Sequence, residues 1–211
     1  MLFDMDGVLL ESDEAWFRVL NAAARHFRKP DIERERFKAS WGQGVEADVR
    51  DFFPGCALAE VERFYEDHLL DFGEHVRADP TARETLMKLR GTNAPGDASG
   101  PRGDSVLRGV ITNTPTFLAR NMLAWTGLIG FIDVTVGPGD GVRSKPDPDI
   151  VLQACKQLDV DPRHAVVVGD SVFDEKAAQA ADSQFLGFRM AAKQSVQSLT
   201  DVVRWVERTR S

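Results

Sequence analysis

Two aspartates, Asp4 and Asp6, close the short apolar run that opens the chain, in "LFDMDGVLLES". Two further polar clusters follow short β-branched runs in the same way: Thr112 and Asn113 after "GVI", and Asp170 with Ser171 and Asp174 after "AVVVG". A lysine, Lys145, sits in "RSKPDPD" ahead of a helical pattern. Any one of these alone reads as a turn or a helix cap, because Asp, Gly, Ser and Pro are the residues turns and caps require. Brought to one point they define a chemistry. Several carboxylates in one place repel each other unless a cation sits among them, and a hard divalent ion with oxygen ligands, Mg²⁺ beside phosphate, answers that need. The lysine and the hydroxyl would then hold an anion. Carboxylates, Mg²⁺, Lys and Thr around one point describe phosphoryl transfer, in which positioning and charge neutralisation supply most of the catalysis.

The elements needed to gather them are legible in the hydrophobic periods. Trp16, Phe17, Leu20, Ala23, Ala24 and Phe27 recur at helical spacing, with Asp13 and Glu14 in the first turn and Pro30 beyond the end. In "ALAEVERFYEDHLLDFG", Leu58, Val61, Tyr65, Leu69 and Phe72 form one stripe and Gly73 is expected to cap it. Residues 14–79 therefore read as all-helical. From residue 80 the texture changes to helices alternating with the short strands "LRGVIT", "FIDVTV", "HAVVVGD" and "QFLGF", the signature of a parallel sheet covered on both faces. The first strand, "LFD", belongs by type with these. The expected fold is α/β: a Rossmann-like parallel-sheet core, residues 1–13 and 80–211, with a helical cap domain, 14–79, inserted after the first strand. Ligands of such a sheet gather beyond the carboxyl ends of its strands, where all the clusters above fall. The Gly/Pro-rich stretch between Gly91 and Gly109 has no apolar period and reads as a mobile surface loop.

"DMDGV" at 4–8, "ITN" at 111–113, "SKPDPD" at 144–149 and "VGDSVFDEKAA" at 168–178 resemble the ordered motifs of the haloacid dehalogenase-like superfamily of hydrolases, in the branch of phosphoglycolate phosphatases and β-phosphoglucomutases that carry a helical cap. The resemblance spans Asp4 to about Phe188. It implies that Asp4 is the nucleophile, forming an aspartyl-phosphate, and that Asp6 protonates the leaving alkoxide and then takes a proton from the hydrolytic water. It implies that Thr112 and the Asn113 backbone bind phosphoryl oxygens while Lys145 neutralises them and holds Asp4. Mg²⁺ would lie on Asp4, the Asp6 carbonyl and Asp170, with Asp174 assisting. Cap loops of this type lower onto the site, so Trp41 and Gln43 of "SWGQGVEADVR" are expected to touch substrate, although Trp41 reads equally well as a packing residue. Arg50 reads as an exposed ion pair rather than a substrate ligand.

The expected activity is Mg²⁺-dependent hydrolysis of a small phosphorylated metabolite, of the phosphoglycolate or sugar-phosphate type. Relatives that act as phosphomutases often carry an acidic residue just before the aspartate of the last motif, where this chain has Gly169. A dehalogenase needs no acid/base at the Asp6 position, and a phosphonate-cleaving enzyme would need a cap lysine, for which Lys29 and Lys38 lie in no recognisable site. A non-catalytic phosphometabolite-binding module would be expected to have lost at least one of Asp4, Asp6, Thr112, Lys145 and Asp170. After the last motif, relatives often have Ala-Gly where this chain has Ala181-Asp182, and Asp tolerates the left-handed backbone.

Composition narrows the partners. The 211 residues carry 26 basic and 33 acidic side chains, a formal charge of −7, with no basic run, so neither a broad nucleic-acid surface nor a membrane-surface patch is expected. No stretch approaches the ~20 apolar residues of a membrane span. Cys56 and Cys155 are far apart in the sequence and read as free thiols in a reducing compartment. The four histidines, His26, His68, His75 and His164, fit no triad or ligand spacing. The expectation is a cytoplasmic enzyme, monomeric or weakly dimeric, whose substrate is set by cap side chains.

Overall fold

The computed structural model describes residues 1–91, 105–139 and 141–210. Most of the Gly/Pro-rich stretch lies outside these residues. Six strands form one sheet: β1 (Leu2–Phe3), β4 (Gly109–Ile111), β5 (Val134–Val136), β6 (Val166–Gly169), β7 (Gln184–Phe188) and β8 (Ser195–Val196), in the spatial order β5-β4-β1-β6-β7-β8. All its pairings are parallel. The two-residue first strand is short for a central position, yet it pairs on both sides, Leu2 with Gly109 and Val167, Phe3 with Val110 and Val168.

Successive strand residues point to opposite faces, and the two cores follow that alternation. Leu2, Ile111, Val134, Val136 and Val167 pack under α7 (Asp149–Leu158) and α8 (Val172–Ala180) through Ile150, Val151, Ala177 and Ala178. Phe3, Val110, Val166, Val168, Leu186 and Phe188 face the other way. They meet α5 (Ala82–Leu89), α6 (Thr116–Trp125) and α9 (Leu199–Arg210) through Leu86, Leu118, Leu199 and Val202. Burial on both faces is why these strands read as continuous β-branched runs instead of alternating ones.

Between the first strand and α5 lie α1 (Asp13–His26), α2 (Arg34–Ala39), α3 (Val45–Asp51), α4 (Leu58–His68) and a 3₁₀ turn over Leu69–His75. Their apolar stripes, among them Val19, Leu20, Phe37, Phe53, Val61, Tyr65 and Leu69, join the second of the two cores through Met5, Leu9 and Leu10. Two departures from the sequence reading occur in this block. Residues 14–79 are not wholly helical, because β3 (Arg77–Ala78) pairs antiparallel with β2 (Leu10–Glu11), tying the two connections of the block together. Gly73 is not a helix cap. It is buried within the 3₁₀ turn, where an added Cβ would come within 2.9 Å of the Trp125 indole, and its carbonyl accepts a 3.2 Å hydrogen bond from Trp125 Nε1. A glycine chosen for a close packing contact looks in sequence like one chosen for a turn. Asp182 does adopt the left-handed backbone, at φ 57°. Among the described residues no helix is long and apolar enough to cross a membrane. Cys155 is buried and Cys56 half-buried, both as free thiols.

Candidate active site

Asp4, Thr112 and Asp170 are each the first residue beyond the carboxyl end of three adjacent strands, β1, β4 and β6. Parallel pairing keeps those ends level, so the topology sets these three polar residues a strand spacing apart. The Asp4 backbone N–H continues the ladder to Val168 O at 2.8 Å. Asp4 Oδ1 accepts from Met5 N–H at 2.7 Å and from Lys145 Nζ at 2.8 Å, while Oδ2 makes no hydrogen bond among the described residues.

Lys145, from the connection between β5 and α7, is 3% exposed. Its ammonium bridges Asp4 Oδ1 and Asp174 Oδ1, at 2.8 and 2.6 Å, and reaches Ile111 O at 3.3 Å. Burial by itself would lower its pKa, but Asp174 and Asp4 together outweigh that and hold it above the usual lysine value. Its backbone is clamped by Asn113, whose Oδ1 accepts from Lys145 N–H at 2.7 Å and whose Nδ2 donates to Lys145 O at 3.0 Å and to Gly42 O at 2.8 Å. The Asn113 side chain thus ties Lys145 to the loop between α2 and α3, a role that the sequence did not reveal.

Asp4, Asp170 and Asp174 bring carboxylate oxygens within 4.8 Å of one another. Burial, then Asp174 and Asp170, push the Asp4 carboxyl well up against the opposing pull of Lys145. Burial, then Asp174, push Asp170 up to about 6. One ammonium for three carboxylates leaves the cluster short of positive charge. Asp170 Oδ1 is buried without a hydrogen-bond partner, and an orphan acceptor in an acidic, all-oxygen cluster fits a divalent cation. Asp174 is fully buried, its two oxygens taken by Lys145 and by the hydroxyl and N–H of Ser171. Two glycines make room here. Gly7, at φ +85°, lies where a Cβ would stand 2.0 Å from Asp170 Oδ2, and a Cβ on Gly169 would stand 2.3 Å from Asp174 Cβ.

Asp6 points away from this cluster. Oδ1 accepts from the Ser12 hydroxyl at 2.5 Å and from Trp16 Nε1 at 3.1 Å, and Oδ2 accepts from Thr114 Oγ1 at 3.0 Å. Burial raises its pKa, and the Ser12, Trp16 and Thr114 donors each oppose that rise. The two-residue spacing of Asp4 and Asp6 thus sends the carboxylates to different surroundings: one lies beside the ammonium and the other faces the helical block. Ser12, Trp16 and Thr114 were not anticipated. Ser12 stands where a helix cap is expected, but its hydroxyl goes to Asp6 and not to the helix. Thr112, 1% exposed, holds the turn by accepting from Thr114 N–H at 3.0 Å.

The "SWGQGVEADVR" segment closes over these groups. A Cβ on Gly44 would meet Ser144 Oγ at 2.7 Å, so the loop approaches the sheet closely because it lacks side chains there. Trp41 packs edge-on against Phe37 at 5.7 Å and points Nε1 at Asp170 Oδ2, 3.4 Å away, so it both packs and faces the acidic cluster. Between loop and sheet lies a cavity lined by Asp4, Asp6, Trp41, Gln43, Thr112 and Lys145, among others. Arg50 lies outside it, paired with Asp51 at 2.8 Å.

The model of a haloacid dehalogenase-like hydrolase family matches residues 1–182. The chain is 28% identical over 191 residues to an N-acetylmuramic acid 6-phosphate phosphatase of Pseudomonas aeruginosa, covering 90% of this chain and 80% of that one. It is 31% identical over 185 residues to a phosphoglycolate phosphatase of Cupriavidus necator, covering 86% and 76%. Among solved structures, a haloacid dehalogenase-like family hydrolase of Streptococcus pneumoniae superposes with a TM-score of 0.78 at 17% identity, over 97% of this chain and 96% of the other. CbbY of Rhodobacter sphaeroides, solved with xylulose-(1,5)bisphosphate, superposes with a TM-score of 0.75 at 19% identity over 95% and 94%. With four motifs in order, their residues gathered at the strand ends and the family match spanning most of its length, the chain belongs to the haloacid dehalogenase-like hydrolases.

Proposed function

We propose that this protein is a Mg²⁺-dependent phosphatase of small phosphorylated metabolites, of the phosphoglycolate or sugar-phosphate type, acting through an aspartyl-phosphate on Asp4. The observation that carries the proposal is the division of labour between two aspartates. Lys145 pins Asp4 Oδ1 and leaves Oδ2 without a hydrogen bond among the described residues, while Asp6 stands apart with a pKa raised by burial. Asp4 Oδ2 attacks phosphorus as the bond to the leaving oxygen breaks, and Asp6 gives that oxygen its proton. In the second half Asp6, now a carboxylate, takes a proton from the water that attacks phosphorus, which frees Asp4 and inorganic phosphate. Lys145 and Thr112 line the space where the phosphoryl oxygens would sit. Asp4, Asp170 and the Asp6 carbonyl, with Asp174 behind them, would hold Mg²⁺, which when bound would neutralise phosphoryl charge. We read residues 14–79 as the cap that excludes water during the reaction, with Trp41 and Gln43 on the substrate side.

A phosphomutase of the same superfamily is the nearest rival. Gly169 weighs against it, because the acidic residue that such relatives often carry just before the last-motif aspartate is absent, and a Cβ there would stand 2.3 Å from Asp174 Cβ. The test is phosphate release from a panel of phosphate esters with Mg²⁺ and with EDTA, beside Asp4→Asn. Turnover that needs the metal and is lost in the variant is the expected result. No release from any ester by the unmodified protein would overturn the proposal.

A further inference from the structure

Besides Asp4, Asp6, Thr112 and Lys145, the cavity is lined by Trp16, Leu20, Phe37, Gln43, Val45 and Asp48. Asp48 on α3 is 7% exposed. Its Oδ1 accepts from Gln43 Nε2 at 2.8 Å and its Oδ2 accepts from the Tyr65 hydroxyl at 3.1 Å. Trp16 joins Asp6 to the Asp48–Tyr65 pair, with its indole N–H on Asp6 and its ring edge-on to Tyr65 at 5.6 Å. Of the described residues lining the cavity, only Lys145 is basic, and its ammonium is taken by Asp4 and Asp174. Arg34 and Lys38 line a separate cavity that shares only Phe37 and Trp41 with this one, and Arg34 is paired with Glu14 at 2.6 Å.

A leaving group that carries its own carboxylate would meet no cation here and one buried carboxylate. A carboxylate has about four acceptor positions, and Gln43 and Tyr65 occupy two, which leaves capacity for a donor from the ligand. Resting on the phosphatase reading above, we propose that the Asp48 cluster of the cavity wall selects a neutral, hydroxyl-bearing leaving group, a polyol or sugar, over an anionic one, with Asp48 receiving the hydroxyl and Gln43 and Tyr65 holding Asp48 in place. A buried carboxylate with two fixed donors discriminates by charge, since a like charge cannot enter unpaired, and by hydrogen bonding, since the site's own acceptors go unsatisfied without a donor.

The test is a near-isosteric series, 2-phosphoglycolate, 2-hydroxyethyl phosphate and phosphoethanolamine, whose leaving groups are anionic, neutral and cationic. It is run at pH 8, where Asp48, pushed up to about 7 by burial, is ionised. For the unmodified protein kcat/KM is expected to be at least about 10-fold higher for 2-hydroxyethyl phosphate than for 2-phosphoglycolate. Asp48→Asn should bring the two within about 3-fold, and Gln43→Arg, which adds a cation to the same wall, should raise 2-phosphoglycolate selectively. A purely structural Asp48 would lower all three esters together and leave their ratio unchanged, which would overturn the proposal, as would 2-phosphoglycolate matching or exceeding the neutral ester in the unmodified protein. If neither the series nor p-nitrophenyl phosphate is turned over, the phosphatase reading fails on its own. Calorimetric binding of the same esters to Asp4→Asn then decides the charge preference, and equal affinity for the anionic and neutral esters overturns it.

Discussion

Replacing Lys145 by Met keeps most of the side chain's apolar stem and removes the only ammonium that the described residues bring to the acidic cluster. The side chains of Lys145, Asp4 and Asp174 are 2%, 7% and 0% exposed, so water cannot take over the lost interaction. Removing one partner of a buried ion pair costs about 3–5 kcal/mol, because the remaining charge stays desolvated and unpaired. For a chain of this length each kcal/mol moves the midpoint by about 2–4 °C, so Lys145→Met should unfold on the order of 6–20 °C lower in EDTA at pH 8. The pH dependence has a definite sign. Burial and its acidic neighbours already raise the Asp4 pKa and Lys145 lowers it, so the variant raises it further. A raised pKa means stability that is present at low pH and lost as pH rises, so the deficit should be smaller at pH 5, where a carboxyl takes up a proton. Adding Asp174→Asn removes the second member of the pair and should recover a substantial part of the loss. Thermal unfolding of the unmodified protein, the single variant and the double variant, at pH 5 and pH 8 in EDTA, checks each step. A midpoint for Lys145→Met within about 2 °C of the unmodified protein, or a double variant no more stable than the single one, would refute the reasoning.

Thr114→Val removes one of the donors that favour the Asp6 carboxylate. The Asp6 pKa should rise, and the alkaline limb of the kcat/KM profile, which Asp6 sets as the general acid, should move up by about 0.5–1 pH unit with the midpoint of unfolding little changed. Asp48, pushed up to about 7 by burial from an ordinary 3.8, keeps its proton in the folded state while the unfolded chain loses it. Stability should therefore decline between about pH 4 and pH 7, by about 2–4 kcal/mol. Asp48→Asn should flatten that decline in denaturant titrations across the range, gaining relative to the unmodified protein at pH 8 and not at pH 5. Gly7→Ala puts a Cβ at φ +85° and 2.0 Å from Asp170 Oδ2. It should lower turnover by at least about 100-fold through displacement of Asp170, with a fall in Mg²⁺-dependent thermal stabilisation as the readout independent of turnover.

Much of this protein was determined by its sequence. The β-branched runs after residue 80 could be buried only as strands covered on both faces, and the polar residues closing them had to lie at the strand ends. That alone places Asp4, Thr112 and Asp170 in one crevice. The stripes at 16–27 and 58–72 likewise required helices, because periodicity reports local burial directly. What the sequence left undecided concerns contacts between residues far apart in the chain. The position of β1 between β4 and β6 follows from non-local pairing, which a two-residue strand does not announce. Ser12, Trp16 and Thr114 meet at Asp6 from a helix start, a helix face and a distant strand end. Asp48 looks in sequence like an ordinary polar position on a helix, and only the approach of Tyr65 and Gln43 makes it a buried, doubly bonded carboxylate. Gly73 belongs with these: its lack of a side chain serves Trp125, 52 residues away. Local pattern fixes which groups are buried and which way an element faces. Which buried polar group finds which partner is settled only when the layers pack, because a desolvated carboxylate must be satisfied by whatever donors the tertiary structure brings to it.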